Sequence, residues 1–341
     1  MSTPDEERVA RELIQAVRQN RQVRIVGQGV QVQTGNAGLV DLGVGQPVEV
    51  RRQIVRDRRR RGQDVAVRVC APLPISPCGT NRLLTNGALS LLINNESGAI
   101  SQVLFGGADW YRPIAAVSDL AIMVDDFFDL ITAASDNDPD GVFSFFETTA
   151  TSSVCGDSSR VVSSDYEGEI DYSKFPLFRE YEAFSENAFK VNTYMANKSG
   201  SSVTIKLAET FDPDQDFDVA GETLTRNSIR TIDGTRVAQA RGAITDRTVI
   251  MGSPDEGALI ESGDSGNYAV FQIFNDRQLE FFTSSPQVAE GPESAIDLGI
   301  HCGIERIVPP GGCFRFTMIQ AFGLTVGEAE EAWAAAISSV S

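Results

Sequence analysis

Histidine occurs once in this chain of 341 residues, tryptophan twice and lysine four times. No apolar run approaches the ~18 residues that a membrane helix needs, so helical membrane insertion is not expected. The opening MSTPDEERVARELIQAVRQ is charged and lacks the apolar stretch of a secretory signal. One imidazole and no C-x-x-C argue against structural zinc. G-x-S-x-G, the P-loop and G-x-G-x-x-G are missing, and GQGVQVQTG lacks the helix and lysine that phosphate binding requires. His301 adjoins Cys302, and neighbours in a strand face opposite sides, so a structural histidine is expected there rather than a Cys–His nucleophile. These absences point to a non-enzymatic protein. They leave open a pair of glycosidase carboxylates, because spacing does not say which of 22 Glu and 25 Asp face each other.

Charge is present and unevenly placed. Residues 1–82 hold 14 Arg against 8 Asp or Glu, a balance of +6, whereas the remaining 259 residues hold 15 basic and 39 acidic groups, a balance of −24. All four lysines, Lys174, Lys190, Lys198 and Lys206, lie in the acidic part. The arginines are densest at Arg51, Arg52, Arg56, Arg58, Arg59, Arg60 and Arg61. Arginine keeps its charge and offers a planar fork to carboxylates, so this arm suits docking on an acidic neighbour. A solvated basic linker is the plainer alternative. Nucleic acid is disfavoured: the acidic body would repel it, and no aromatic residue interleaves with those arginines for base stacking.

The chain changes texture along its length. Residues 5–19 have helical spacing, with Asp5, Glu6 and Glu7 at the favourable N-terminal end. Val23, Ile25 and Val26 begin an alternating stretch, and residues 48–69 are expected to form two strands around a charged turn. CAPLPISPCGTN, residues 70–81, is too rich in proline and glycine for helix or central strand and is expected to be an extended hinge. It separates a basic arm, 1–82, from an acidic domain, 83–341. That domain alternates apolar and polar residues between turns at NNESG, SEN and NKSG, the pattern of a large antiparallel β-sandwich. The tail TVGEAEEAWAAAISS switches to helical period: Thr325 can cap it, with Glu328 three residues on, and Ala329, Ala332, Trp333 and Ala336 share a face.

Three strings in the β region, GALSLLINNESGAISQVLFGGADWY (87–111), YEAFSENAFKVNTYMANKSGSSVTIKLAETFDPDQD (181–216) and PPGGCFRFTMIQAFGLTVGEAEEA (309–332), resemble the galactose-mutarotase-like supersandwich domains. The resemblance covers about residues 83–341 and implies a mainly β, two-sheet fold also used by carbohydrate-active enzymes. The family's epimerases use histidines with a carboxylate as acid and base. With His301 alone, this chain lacks the family's catalytic His pair, so the resemblance implies the fold rather than the mutarotase reaction.

Two acidic runs and five cysteines carry the remaining chemistry. DNDPDGVFSFFE fits the calcium-loop pattern, with Asp136, Asp138 and Asp140 at positions one, three and five and Gly141 at the turn. The Val142 carbonyl, Ser144 and a bidentate Glu147 complete the shell. The alternative is an acidic turn between strands, and TTATSS after Glu147 opposes an exiting helix. FDPDQDFD sets Asp212, Asp214, Asp216 and Asp218 at alternate positions, read as a solvated loop or a second cation site. Cys70 with Cys78, and Cys302 with Cys313, are spaced for small disulfide loops; free thiols, or cross-links from the hinge to another subunit, are the alternatives, and Cys155 completes the set.

The sequence therefore leads to a structural protein that self-associates, its basic arm docking on the next copy to build a filament or layer. Extracellular or cell-surface placement is favoured, without an ordinary signal peptide. A carbohydrate-binding or carbohydrate-active module is the alternative, with glycans as partners and Trp110, Tyr111 and Trp333 as sugar platforms or, more plainly, core residues.

Overall fold

Segments such as AFKVNTYMA and CFRFTMIQAFG place apolar side chains at every second position, and in the computed structural model they are long antiparallel strands with one face in the core. The structure describes residues 23–26, 29–33, 39–41, 82–95, 97–110, 118–132, 151–222, 224–264, 294–296 and 298–340. The chain divides into two units, Met1–Ala71 and Pro72–Ser341. In the first, β1 (Val23–Val26), β2 (Gly29–Gln33) and β3 (Leu39–Asp41) form an antiparallel sheet in that order. The expected helix over 5–19, the strands over 48–69 and the hinge over 70–81 lie outside the described residues.

The second unit opens with four short strands, β4 (Leu83–Asn86), β5 (Leu89–Ile93), β6 (Ile100–Phe105) and β7 (Ala108–Asp109), paired in sequence order. Next come β8 (Ser118–Val124), β9 (Phe127–Thr132), β10 (Thr151–Gly156), β11 (Val161–Glu167), β12 (Leu177–Ser185), β13 (Ala188–Ala196) and β14 (Val203–Phe211). A single-turn helix, α1 (Phe217–Ala220), leads to β15 (Thr225–Ile232), β16 (Thr235–Gly242), β17 (Thr248–Gly252) and β18 (Leu259–Asp264). The chain closes with β19 (Ser294–Ile296), β20 (Leu298–Val308), β21 (Cys313–Gly323) and the helix α2 (Val326–Val340).

These strands build a nine-stranded sheet, β10-β11-β12-β13-β21-β17-β16-β15-β19, and a five-stranded sheet, β18-β20-β14-β8-β9. Every pairing in them is antiparallel, so the expected mainly β sandwich is what forms. The inward faces share one core: Val191, Met195, Phe314, Phe316 and Phe322 from the larger sheet meet Ile205, Leu207, Phe211, Cys302 and Ile304 from the smaller. Trp110 is fully buried there, edge-on to Phe322 at 5.2 Å between ring centroids, with its indole N–H donating to the Phe105 carbonyl.

Two turns expected to be alike differ. The SEN turn is a hairpin, β12 to β13. The NKSG segment instead carries the chain from the nine-stranded sheet to the five-stranded one. Asn197 fixes this crossing, its buried amide donating to the carbonyls of Ser201 and Val308 while its oxygen accepts from the Ser199 N–H.

The helix α2 covers part of the outward face of the nine-stranded sheet. Ala329, Ala332, Trp333 and Ala336 are its buried residues, packed on Ala188, Val237, Ile250, Ile319 and Ala321. Its start is capped: the Glu328 N–H donates to Thr325 Oγ1, and Glu328 accepts from the Leu324 N–H. Among the described residues no helix is long and apolar enough to cross a membrane.

Candidate functional site

The outward face of the five-stranded sheet is the part of the unit where polar chemistry converges. On β14, Val203, Ile205, Leu207 and Phe211 point into the core, which turns Lys206, Ala208 and Thr210 outward. By the same alternation His301, Gly303 and Glu305 of β20, Leu259 and Glu261 of β18, and Ala121 and Met123 of β8 share that face. Register sets them in rows. Ala121, Ala208, Gly303 and Leu259 form a low central row of small residues ending in a leucine. To one side run Thr210, His301 and Glu261; to the other, Met123, Lys206 and Glu305. Leu130 and the half-buried Phe128 complete a small apolar cluster with Ala121, Met123, Ala208 and Leu259.

The groups in these rows differ in state. His301 is 1% exposed, and Thr210 Oγ1 lies 3.0 Å from its Nδ1. Burial lowers its pKa to about 4, so the ring is neutral at physiological pH. Lys206 Nζ pairs with Glu305 at 3.0 Å. Glu261, directly opposite His301 on the neighbouring strand, is half-buried. Burial pushes its carboxyl up to about 7, opposed by the charge of Arg236. Among the described residues no ion pair holds Glu261. The face thus offers one half-buried carboxyl poised near neutrality, beside a buried neutral imidazole and hydroxyl and next to a buried apolar cluster.

The outward face of the nine-stranded sheet carries a second polar row, and its groups satisfy one another. Glu180 receives Arg160 Nε, the Tyr194 hydroxyl at 3.0 Å and the Asn192 amide at 3.4 Å. Thr317 donates through its hydroxyl to Asn192 and through its N–H to Asp255. Burial, with the Glu180 charge, pushes the Tyr194 phenol up to about 12. A network so fully paired braces the sheet.

Several expected site residues fall elsewhere. Asp136, Asp138, Asp140, Val142, Ser144 and Glu147 lie outside the described residues, as do Arg51, Arg52, Arg56 and Arg58 to Arg61, Cys70, Cys78 and Tyr111. Among the described residues no three His, Cys, Asp or Glu side chains are grouped to hold a metal ion. Trp110 and Trp333 are fully buried, which removes them as sugar platforms. FDPDQDFD is neither a solvated loop nor a fan of free carboxylates: Asp214 and Asp216 are buried, and Asp218 accepts the Asp109 N–H at 2.9 Å.

The expected Cys302–Cys313 bridge does not form. Cys302 is a free thiol buried between the sheets, its pKa pushed up by that burial, whereas Cys313 is disulfide-bonded. Strand alternation explains the failure: Phe314 points into the core, so Cys313 faces away from it, on the other side of the nine-stranded sheet from Cys302. Sequence reasoning also passed over Glu261, whose one available signal was its place in the alternating stretch ALIESG.

No protein-family model and no curated protein matches the chain. Solved structures do match its fold. A protein described as an aldose 1-epimerase from Escherichia coli K12 matches at TM-score 0.38 and 9% identity, over 71% of this chain and 98% of its own. A galactose mutarotase-like protein from Clostridium acetobutylicum matches at TM-score 0.39 and 11% identity, over 71% and 94%. A mutant heparan sulfate lyase from Pedobacter heparinus matches at TM-score 0.38 and 8% identity; 81% of this chain covers 40% of the lyase. The resemblance to galactose mutarotase-like proteins is one of fold alone. The expectation of a non-enzymatic chain is corrected to this extent: the structures it matches are described as an epimerase and a lyase. None of them supports filament formation.

Proposed function

We propose that this chain acts on a carbohydrate at the outward face of its five-stranded sheet, with Glu261 as the proton-transfer group. The observation that carries the reading is Glu261 itself: half-buried, held by no ion pair among the described residues, raised to about 7 by burial, and directly opposite His301. A carboxyl half-ionised near neutral pH can both take and give a proton. Sugar chemistry of the ring-opening or elimination kind begins by removing a proton from a hydroxyl or a ring carbon, and needs one such group rather than the paired carboxylates of glycoside hydrolysis. Beside Glu261, Leu259 is partly exposed and offers apolar contact at the accessible margin, whereas Ala121, Met123, Ala208 and Gly303 are buried behind it. His301 stands beside Glu261 in the same cross-strand row, with Thr210 next to it.

The test is a panel of reducing sugars and of neutral and uronate-containing polysaccharides, followed by polarimetry for anomeric exchange and by ultraviolet absorbance for unsaturated products. Activity with a pH inflection near 7 that falls at least ~100-fold in Glu261→Gln supports the reading. Full activity in that variant, or no turnover across the panel, overturns it.

A further inference from the structure

We infer that the outward face of the β15–β16 hairpin binds a tetrahedral oxyanion, phosphate or sulfate, among Arg226, Arg230, Arg241 and the hydroxyl of Ser228. The inference does not rest on the carbohydrate reading, whose site lies on the other sheet. Alternation fixes which side chains share this face. Ile229 of β15 and Ala238 and Ala240 of β16 are in the core, so Arg226, Ser228 and Arg230 turn outward from β15, and Gln239 and Arg241 from β16. Register sets Arg226 directly opposite Arg241, and Ser228 directly opposite Gln239. Arg230 leans toward this second pair: its Nη1 donates to Gln239 Oε1 at 2.5 Å, while its Nη2 meets Glu330 of α2 at 2.6 Å. Three arginines thus stand around one small residue, in a domain whose charge balance is otherwise strongly negative.

Two needs of this arrangement are unmet. Like charges directly opposite one another in a sheet repel. Arg226 is exposed, and among the described residues no ion pair holds it. Arg241 has Asp246 at 3.2 Å, but that carboxylate is 67% exposed, and so open a pair contributes little. Ser228 supplies the second need: it is 1% exposed, and among the described residues its hydroxyl has no hydrogen-bond partner. A buried hydroxyl left without a partner carries a desolvation cost that a donated bond would remove.

One oxyanion answers both. Its negative charge offsets the facing arginines, the planar guanidinium forks match its oxygens in paired N–H···O bonds, and the Ser228 hydroxyl donates to it as well. A tetrahedral group offers three or four oxygens to these donors, where a carboxylate offers two. The face is open to such a ligand, since Arg226 is exposed and the side chains of Arg230 and Arg241 keep 35% and 24% of their surface in solvent.

The test is isothermal titration calorimetry of the full-length protein with sodium phosphate, sodium sulfate and a sulfated oligosaccharide, at one ionic strength held by sodium chloride so that screening is constant. The expected result is one saturable site per chain, weakened at least ~10-fold in Arg226→Gln and by a smaller factor in Ser228→Ala. Arg315→Gln removes a charge from the same sheet face away from the hairpin and should bind as the native protein does. Without added anion, Arg226→Gln should denature no earlier than the native protein, because it loses a like-charge contact and no ion pair. Binding of the inorganic ions alone assigns the site to a free ion, and tighter binding of the oligosaccharide assigns it to an ester on a glycan; either supports the inference. Absence of saturable binding for all three probes, or equal binding by the native protein and Arg226→Gln, overturns it. Should Arg226→Gln fail to fold, Arg241→Gln carries the same comparison.

Discussion

Arg179 of β12 and Glu209 of β14 meet across the sandwich, Nη2 reaching both carboxylate oxygens at 2.6 and 2.7 Å, and each side chain is only 2% exposed. The two residues lie in different sheets, so this ion pair joins the layers at a fixed offset. Burial works to push the Glu209 carboxyl up, and the Arg179 guanidinium beside it opposes that rise. Thr193 and the Gly98 carbonyl add contacts at 3.5 Å. A charge so deep in an apolar core is tolerable only while its partner is present. Glu209→Gln or Arg179→Met alone should therefore destabilise the protein by about 3–5 kcal/mol, whereas replacing both with apolar residues of similar volume should recover much of the loss. Urea denaturation of the two single variants and the double variant measures this as a coupling energy.

His301 and Glu261 should bend the pH–stability curve in opposite directions. The native carboxyl of Glu261 holds its proton more tightly than the unfolded one, so its contribution falls as pH rises from 4.5 through about 7. Native His301 holds its proton less tightly, so its contribution is lost as pH falls from 6.5 through about 4. Complete burial makes the histidine effect ~3 kcal/mol at full extent, and solvent screening reduces that of half-exposed Glu261 to about 1–2 kcal/mol. In the native sequence the two slopes oppose each other between pH 4.5 and 6.5. Glu261→Gln should expose a stability that rises across that window, and His301→Gln a stability that falls across it. Denaturation midpoints at half-unit pH intervals would show this; parallel curves for the two variants would contradict it.

The helix α2 sits where it does because the sheet beneath it is cut away at one position. A Cβ built on Gly252 would come within 2.7 Å of Trp333 Cη2. The indole is fully buried and cannot swing out without leaving the face formed by Ile250, Ile319 and Ala321. Gly252→Ala should thus destabilise the protein by about 1–3 kcal/mol through overpacking. It should also shift the near-ultraviolet circular dichroism of Trp333, while Trp333→Phe in the Gly252→Ala background should restore part of the loss.

What could be read from the sequence was what is local. The face of α2 is legible because Ala329, Ala332, Trp333 and Ala336 follow a helical period behind a capping threonine, and the structure uses those four residues. The hairpin at NNESG is legible because Ile93 and Ile100 flank a turn, and they are partners. The site was not. Glu261, His301 and Thr210 are brought together by register between β14, β20 and β18, and pairing between strands distant in sequence leaves no mark in the spacing of any one of them. The Arg179–Glu209 pair is hidden for the same reason, and the NKSG turn misled because a loop between sheets uses the same residues as a hairpin.

The alternating aspartates of FDPDQDFD are settled by a third long-range contact. Asp216 is 1% exposed and accepts the Ile244 N–H at 2.7 Å, the Thr245 N–H at 3.0 Å and the Thr245 hydroxyl. It stands just before α1 but makes no side-chain cap there, because its carboxylate turns to the loop between β16 and β17. Gly242 lies against that carboxylate so closely that a Cβ would collide with it. The site is thus an anchor for one loop, filled by backbone and hydroxyl donors where a cation would otherwise be needed to offset the charge. Asp216→Ala should cost about 2–4 kcal/mol and raise the exchange rates of the Ile244 and Thr245 amides, since both lose their acceptor. Asp246→Ala, which removes a surface ion pair with Arg241 in the same loop, should change stability by no more than about 0.5 kcal/mol and leave those amides protected. If both variants exchanged alike, or if added calcium stabilised the native protein but not Asp216→Ala, the anchor reading of Asp216 would be wrong.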